Sequence, residues 1–169
     1  MIIKNHRSFI CGVKGKVLSK KEIEFLKKYK PWGIILFKRN IGSIKQTINL
    51  TNSIKKIFNN KNYPIMVDEE GGRVSRLRKF IDNSIFTAEY FGNLYKKNNN
   101  KFDIYYSVYV KQIAYLLRLL GININTVPVL DIKRKKFHKI VDDRSFSTDK
   151  KIVSKIGDRC IKLFHSNRV

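Results

Sequence analysis

Pro64-Ile65-Met66-Val67-Asp68-Glu69-Glu70-Gly71-Gly72-Arg73-Val74-Ser75-Arg76 is the stretch that decides the fold. An apolar run, Ile65 to Val67, ends abruptly in three carboxylates, two glycines and two arginines. Bounded by Pro and Gly and containing Ile and Val, the run predicts a short buried strand. Gly71 and Gly72 leave the backbone after it free to turn tightly. Polar groups gathered just past the C-terminal end of a buried strand are the pattern of a βα active-site rim. The plainer alternative is a strand, a turn and a solvated charged loop.

Upstream, Ser8 to Val13 is an apolar run bounded by Gly15, a first strand. Ser19 with Glu22 three residues on forms a capping box, and Ile23, Leu26 and Tyr29 follow at helical spacing until Pro31. Trp32 to Phe37 is apolar throughout, as expected of a parallel strand covered on both faces. It ends in Lys38-Arg39-Asn40. Ser43 caps a second helix with a stripe of Ile44, Ile48, Ile54 and Phe58.

Downstream of Arg76, a polar and aromatic region runs irregularly to about Asn100, long for a connection. Phe102 to Leu120 then predicts a long helix with Ile104, Val108, Ile113, Leu116, Leu117 and Leu120 on its inner face and Gly121 as its C′ residue. Ile122 to Leu130 is the fourth strand, ending at Asp131. After a polar loop, Asp149 caps a last helix through Ile152, Ile156, Ile161 and Phe164. The expected order is β-α-β-α-β-α-β-α, with polar residues (Lys38, Asp68, Asp131) at the strands' C-terminal ends.

Composition bounds what such a chain does. At 169 residues and 43% hydrophobic, it has the length of one domain and enough apolar material for a core. No stretch approaches the roughly 20 apolar residues of a membrane span, and the N-terminus lacks the pattern of a signal peptide. Cys11 and Cys160 fit neither a disulfide framework nor a metal knuckle and read as reduced core thiols. The expected location is cytoplasmic, with no membrane partner, no metal and no cofactor. The net charge of +23 invites a nucleic-acid reading. Yet lysine supplies 26 of the 36 cations, and Lys, Asn and Ile together make up 64 of the 169 residues. Those types share A/T-rich codons, and the lysines are scattered rather than gathered in an arm. Non-specific, salt-sensitive adhesion to polyanions is what this distribution predicts.

Alternating strands and helices leave two architectures, an open doubly wound sheet or part of a (β/α)8 barrel. Neither a Gly-x-Gly-x-x-Gly turn nor a Walker-type phosphate loop is present, which removes the main signature of a nucleotide-binding sheet.

Four segments then match a known pattern: Lys-Pro-Trp-Gly-Ile-Ile-Leu-Phe-Lys-Arg-Asn (30–40), Val-Asp-Glu-Glu-Gly-Gly-Arg-Val-Ser-Arg-Leu (67–77), Pro-Val-Leu-Asp (128–131) and Asp-Asp-Arg-Ser-Phe (142–146). Together they resemble family 3 glycoside hydrolases, and among those the bacterial β-N-acetylhexosaminidases of peptidoglycan recycling. The resemblance implies an α/β fold, the N-terminal half of a (β/α)8 barrel, about four βα units. It implies N-acetylglucosamine-containing muropeptides as substrate, with Asp68, Arg76 and Arg144 holding the sugar. Arg73, Glu69, Glu70 and Asp131 are expected to tie loops to the rim. An ionised carboxylate accepts from two hydroxyls and an arginine offers a rigid donor fork, so the chemistry agrees.

The resemblance also implies a departure. The family hydrolyses with retention through a carboxylate nucleophile, and its proton donor is a histidine on a loop ending in Pro-Gly-His-Gly. Neither that loop nor the preceding Lys-His pair is among these residues, and His6, His138 and His165 lack the matching context. The chain is therefore expected to be truncated before the fifth strand, with no catalytic residue of its own. Two readings stay open: an inactive fragment or a non-catalytic sugar-binding remnant, or a half completed by a second chain supplying strands five to eight. A basic nucleic-acid-binding protein is the alternative from a different class.

Overall fold

The computed structural model describes residues 6–134 and 140–169. The elements run β1 (Arg7–Gly12), α1 (Lys20–Tyr29), β2 (Pro31–Leu36), α2 (Ile44–Ile57), β3 (Ile65–Val67), α3 (Ala88–Lys97), α4 (Asn99–Leu119), β4 (Ile124–Asn125) and α5 (Lys150–Ser166). Short 3-10 turns lie at Lys38–Asn40 and Asp142–Arg144. The four strands form one parallel sheet in the order β1-β2-β3-β4. Every strand therefore delivers its C-terminal residues to the same end of the sheet.

The register sorts side chains onto two faces. Ile34 pairs with Ile65 and Leu36 with Val67, and all four are fully buried under the helices. The alternate row, Gly12, Ile35, Met66 and Ile124, lies on the other face. On that face Ile10 is exposed and Ile35 and Ile124 are half-buried, while Met66 is buried. Part of a barrel wall has this form, covered outside and open toward the axis.

Local chemistry sets the helix starts as expected. Ser19 accepts from Glu22 N while the Glu22 side chain accepts from Ser19 N, Ser43 accepts from Gln46 N, and Asp149 accepts from Lys151 N. Lys30 ends α1 in a left-handed conformation, and Gly121, at φ +77°, is the C′ residue of α4.

Four expectations are corrected. The region between Arg76 and Asn100 is not irregular throughout, because α3 occupies ten residues of it, capped by Thr87. The fourth strand is not nine residues long. Only Ile124–Asn125 pair with β3, which itself ends at Val67. On α4 Ile113, Leu117 and Leu120 are buried as expected, but Ile104 and Val108 are 61% and 51% exposed. The buried seam is Phe102, Tyr106, Tyr109 and Ile113, which meets Phe91 of α3 and Phe146. Ile44 of α2 and Ile161 of α5 likewise face outward. On α2 the inner positions go to Thr47, Leu50, Thr51 and Ile54, with Thr51 Oγ1 donating to Leu120 O at 2.8 Å beyond the end of α4.

Both cysteines are free, Cys160 buried and Cys11 half-buried. Burial pushes the Cys160 thiol up to about 11. Among the described residues no helix is long and apolar enough to cross a membrane.

Candidate functional site

The site grows from the end of β3. Alternation sends Met66 to the open face and Val67 to the covered one, and the next two residues continue the pattern. Asp68 stays partly exposed, its side chain at 29%, whereas Glu69 turns inward and is 2% exposed. Asp68 Oδ1 accepts from Thr126 Oγ1, which shares the open face with Ile124 two residues earlier on β4. Asp68 Oδ2 faces Arg76 Nη2 at 3.4 Å, a loose pair that leaves room on both partners. Arg76 Nε is buried and has no hydrogen-bond partner among the described residues. A buried donor without an acceptor is rare in a folded chain.

Arg76 is held from its backbone. The Glu69 carboxylate accepts from Arg76 N at 2.6 Å, Leu77 N at 2.8 Å and Asn83 Nδ2 at 2.7 Å. Asn125 in turn clamps Glu69, accepting from its N–H and donating to its carbonyl. Between Glu70 and Arg76 the chain reverses through Gly71 at φ +87° and Gly72 at φ +57°, conformations that L side chains rarely adopt. A side chain on Gly71 would also run into Phe86 O and the Tyr109 hydroxyl.

The third expected residue, Arg144, sits at the same end of the sheet but is already engaged. Its Nε and Nη2 each donate to Glu70 at 2.7 Å, and Nη1 donates to Ile140 O at 3.3 Å. Of its five N–H groups, two remain for a ligand. The paired Glu70 carboxylate pushes the Arg144 guanidinium up. Arg73 reinforces the tie, meeting Asp143 at 2.9 Å and donating to Ile140 O at 2.6 Å. Glu69, Glu70 and Arg73 thus tie loops together, as expected. For Asp131 the bond is through its backbone, whose carbonyl accepts from Ser145 Oγ at 2.6 Å.

Thr126, Asn125 and Asn83 are residues that sequence reasoning missed. Thr126 was legible in principle, since residues 124 and 126 must share a face with Asp68 once β4 pairs with β3. Behind the rim, a half-open pocket is walled by Phe91, Tyr106 and Phe146 together with Glu70, Arg73 and Arg144. It touches neither Asp68 nor Arg76, but Arg144 and its partner Glu70 line it alongside residues of α3, α4 and α5.

Among the described residues no histidine joins the rim. His6 lies against the Phe58 and Tyr63 rings, His165 is exposed in the last turn of α5, and His138 lies outside the described residues. Among the described residues no group of three His, Cys, Asp or Glu side chains is placed to hold a metal ion.

Comparison with known proteins fits this geometry. The model of the glycosyl hydrolase family 3 N-terminal domain matches residues 10–169. The chain is 31% identical over 147 residues to β-hexosaminidase A of Pseudoalteromonas piscicida, covering 85% of this chain and 24% of that one. It is 30% identical over 156 residues to a β-hexosaminidase of Xanthomonas oryzae pv. oryzae, covering 92% of this chain and 46% of the relative. The crystal structure of NagZ from Neisseria gonorrhoeae in complex with N-trifluoroacetyl-D-glucosamine superposes with a TM-score of 0.86 at 25% identity, over 96% of this chain and 48% of that one. The chain therefore spans less than half the length of these relatives. With the family model matched over nearly all of its residues, and a parallel sheet presenting Asp68 and Arg76 at its C-terminal rim, the chain belongs to glycoside hydrolase family 3, as a β-N-acetylhexosaminidase-like N-terminal part.

Proposed function

We propose that residues 1–169 form the amino-sugar-gripping part of a β-N-acetylhexosaminidase that removes terminal N-acetylglucosamine from muropeptides during cell-wall recycling in the cytoplasm. The observation that carries this reading is the Asp68–Arg76 pair, loosely closed at 3.4 Å with Arg76 Nε unpartnered beside it. Each Asp68 oxygen keeps a lone pair for a sugar hydroxyl, and Arg76 keeps a donor for a sugar oxygen. Arg144 adds its two remaining N–H groups from the other side of Glu70. Relatives named β-hexosaminidase, and a structural neighbour holding an N-acylated glucosamine, support the sugar class.

In this reading the sugar is held here and cleaved elsewhere. The proton donor and the nucleophile belong to strands five to eight, supplied by a further segment of polypeptide or by a companion chain. The isolated 169-residue chain then binds N-acetylglucosamine without turning over an aryl N-acetylglucosaminide.

Titration of the chain with N-acetylglucosamine, followed by calorimetry or NMR, tests the reading. Binding that Asp68→Ala abolishes is the expected result. Equal affinity in Asp68→Ala, or release of the aryl group by the isolated chain, overturns it.

A further inference from the structure

The rim is chemically lopsided. Above β3 and β4 acids and arginines are mixed, whereas the segments following β1 and β2 carry Lys14, Lys16, Lys38 and Arg39, all exposed, and no acid. These two segments are locked together. The fully buried Asn40 donates to Val13 O at 3.0 Å and Gly15 O at 2.7 Å and accepts from Phe37 N at 2.9 Å. Gln46 adds bonds to Lys16 O and Asn40 O. The nearest acid by chain connection, Glu22, is occupied by the N–H groups of Lys14 and Ser19.

Arg39 is fixed within this ledge. Its Nε donates to Val13 O at 3.2 Å, and its guanidinium lies 4.6 Å from the Phe37 ring centroid. Gly12 makes that pose possible, since a side chain there would sit 3.1 Å from Phe37 Cε2 and 3.2 Å from Arg39 Nη2. Gly12 shares the open face with Ile35 and Met66, the face to which Asp68 also turns. Arg39 therefore overlies β1 on the same side of the sheet as Asp68, whose strand β3 runs two strand spacings away, about 10 Å between backbones. That is the reach of the group attached beyond a single sugar ring.

We propose that Arg39, flanked by Lys14 and Lys38, forms an oxyanion subsite. It takes a carboxylate or phosphate carried on the group attached to the N-acetylglucosamine that Asp68 and Arg76 hold. The proposal rests on the sugar reading of Asp68. A guanidinium already oriented by one backbone acceptor and one ring loses little freedom on binding an anion, and its Nη groups keep N–H donors for an oxyanion. The neutral, hydroxyl-rich end of the ligand then lies above β3 and β4, and its charged end above β1 and β2.

Three synthetic glycosides test this: 4-carboxyphenyl, 4-phosphonophenyl and 4-(methoxycarbonyl)phenyl N-acetyl-β-D-glucosaminide, titrated into the 169-residue chain at low salt. At least one anionic glycoside is expected to bind fivefold or more tightly than the neutral ester, and which one does so identifies the oxyanion. Arg39→Gln is expected to erase that ratio. Since it removes only one of the cations that give a net charge of +23, a preference from bulk charge would survive it, and such survival overturns the subsite. Should Arg39→Gln fail to fold, the exposed pair Lys14→Gln with Lys38→Gln is read instead, with a diminished ratio expected and an unchanged one overturning the proposal. Equal binding of all three glycosides removes the subsite and leaves the sugar reading standing. Binding of none removes both.

Discussion

Glu70 and Arg144, 74 residues apart in the chain, meet side-on through two 2.7 Å hydrogen bonds, Nε to Oε2 and Nη2 to Oε1. This fork joins the turn after β3 to the segment before α5, and so sets where Arg144 stands relative to Asp68. Glu70→Gln is expected to keep the shape but lose one charge-assisted bond, costing about 2 kcal/mol, below the 3–5 typical of fully buried pairs because both side chains retain some exposure. Chemical denaturation reads the loss. Sugar affinity should fall more than stability alone explains, since Arg144 is released.

Glu69 is the more severe position. Its buried carboxylate satisfies three donors, and Glu69→Ala leaves Arg76 N, Leu77 N and Asn83 Nδ2 without it. At about 1–3 kcal/mol per stranded buried group, the variant should lose on the order of 3 kcal/mol or more. A midpoint in urea within experimental error of the parent would show that the loop does not depend on this carboxylate.

Gly92 on α3 packs so closely on Phe146 that any Cβ would collide with the Phe146 carbonyl. Gly92→Ala gains helix propensity yet must push the 145–147 segment away, and a net loss of about 1–3 kcal/mol is expected. Thermal melting compared with Gly15→Ala, where the added carbon meets only Val17 O at 3.9 Å, isolates the steric part.

Cys160 gives a pH dependence of definite sign. Burial raises its thiol from 9.0 to about 11 in the folded chain, so the folded state holds the proton more tightly than the unfolded one. The associated stability is complete below pH 9 and is lost as pH climbs from there through 11, by roughly 2–3 kcal/mol for a shift of that size. Cys160→Ala should flatten this alkaline fall. An equally steep fall in the variant would assign it to Tyr106 and Tyr109, whose hydroxyls burial also raises.

Much of this molecule was legible in its sequence, for reasons that differ by element. The caps at Ser19, Ser43 and Asp149 act over two or three residues, so local spacing suffices to find them. Ile65–Val67 showed itself by its abrupt polar boundary. What failed depended on distant partners. The α4 helix is apolar on two sides, and only the arrival of Phe91 and Phe146 decides that Tyr106 goes inward and Val108 outward. In α3, Phe91 and Leu94 sat among tyrosines and polar residues that masked the stripe. At the site, Asp68 and Arg76 could be paired from a Gly-Gly turn between them. The Glu70–Arg144 fork and the Thr126 contact cross 74 and 58 residues, and no local rule reports them.

Asn98 closes α3 through its N–H to Leu94 O and opens α4 by accepting from Lys101 N at 2.9 Å. A joint of one residue fixes the rotational phase of α4, since each residue turns a helix by about 100°. Lengthening α4 by one residue just after this joint would seat Tyr105 and Val108 where Tyr106 and Tyr109 now pack. Shortening it would seat Asp103 and Ser107 in place of Phe102 and Tyr106. The longer helix would also bring Lys101 and Gln112 to the places of Phe102 and Ile113, so either slip buries two polar residues in the seam, and the barrel wall tolerates neither.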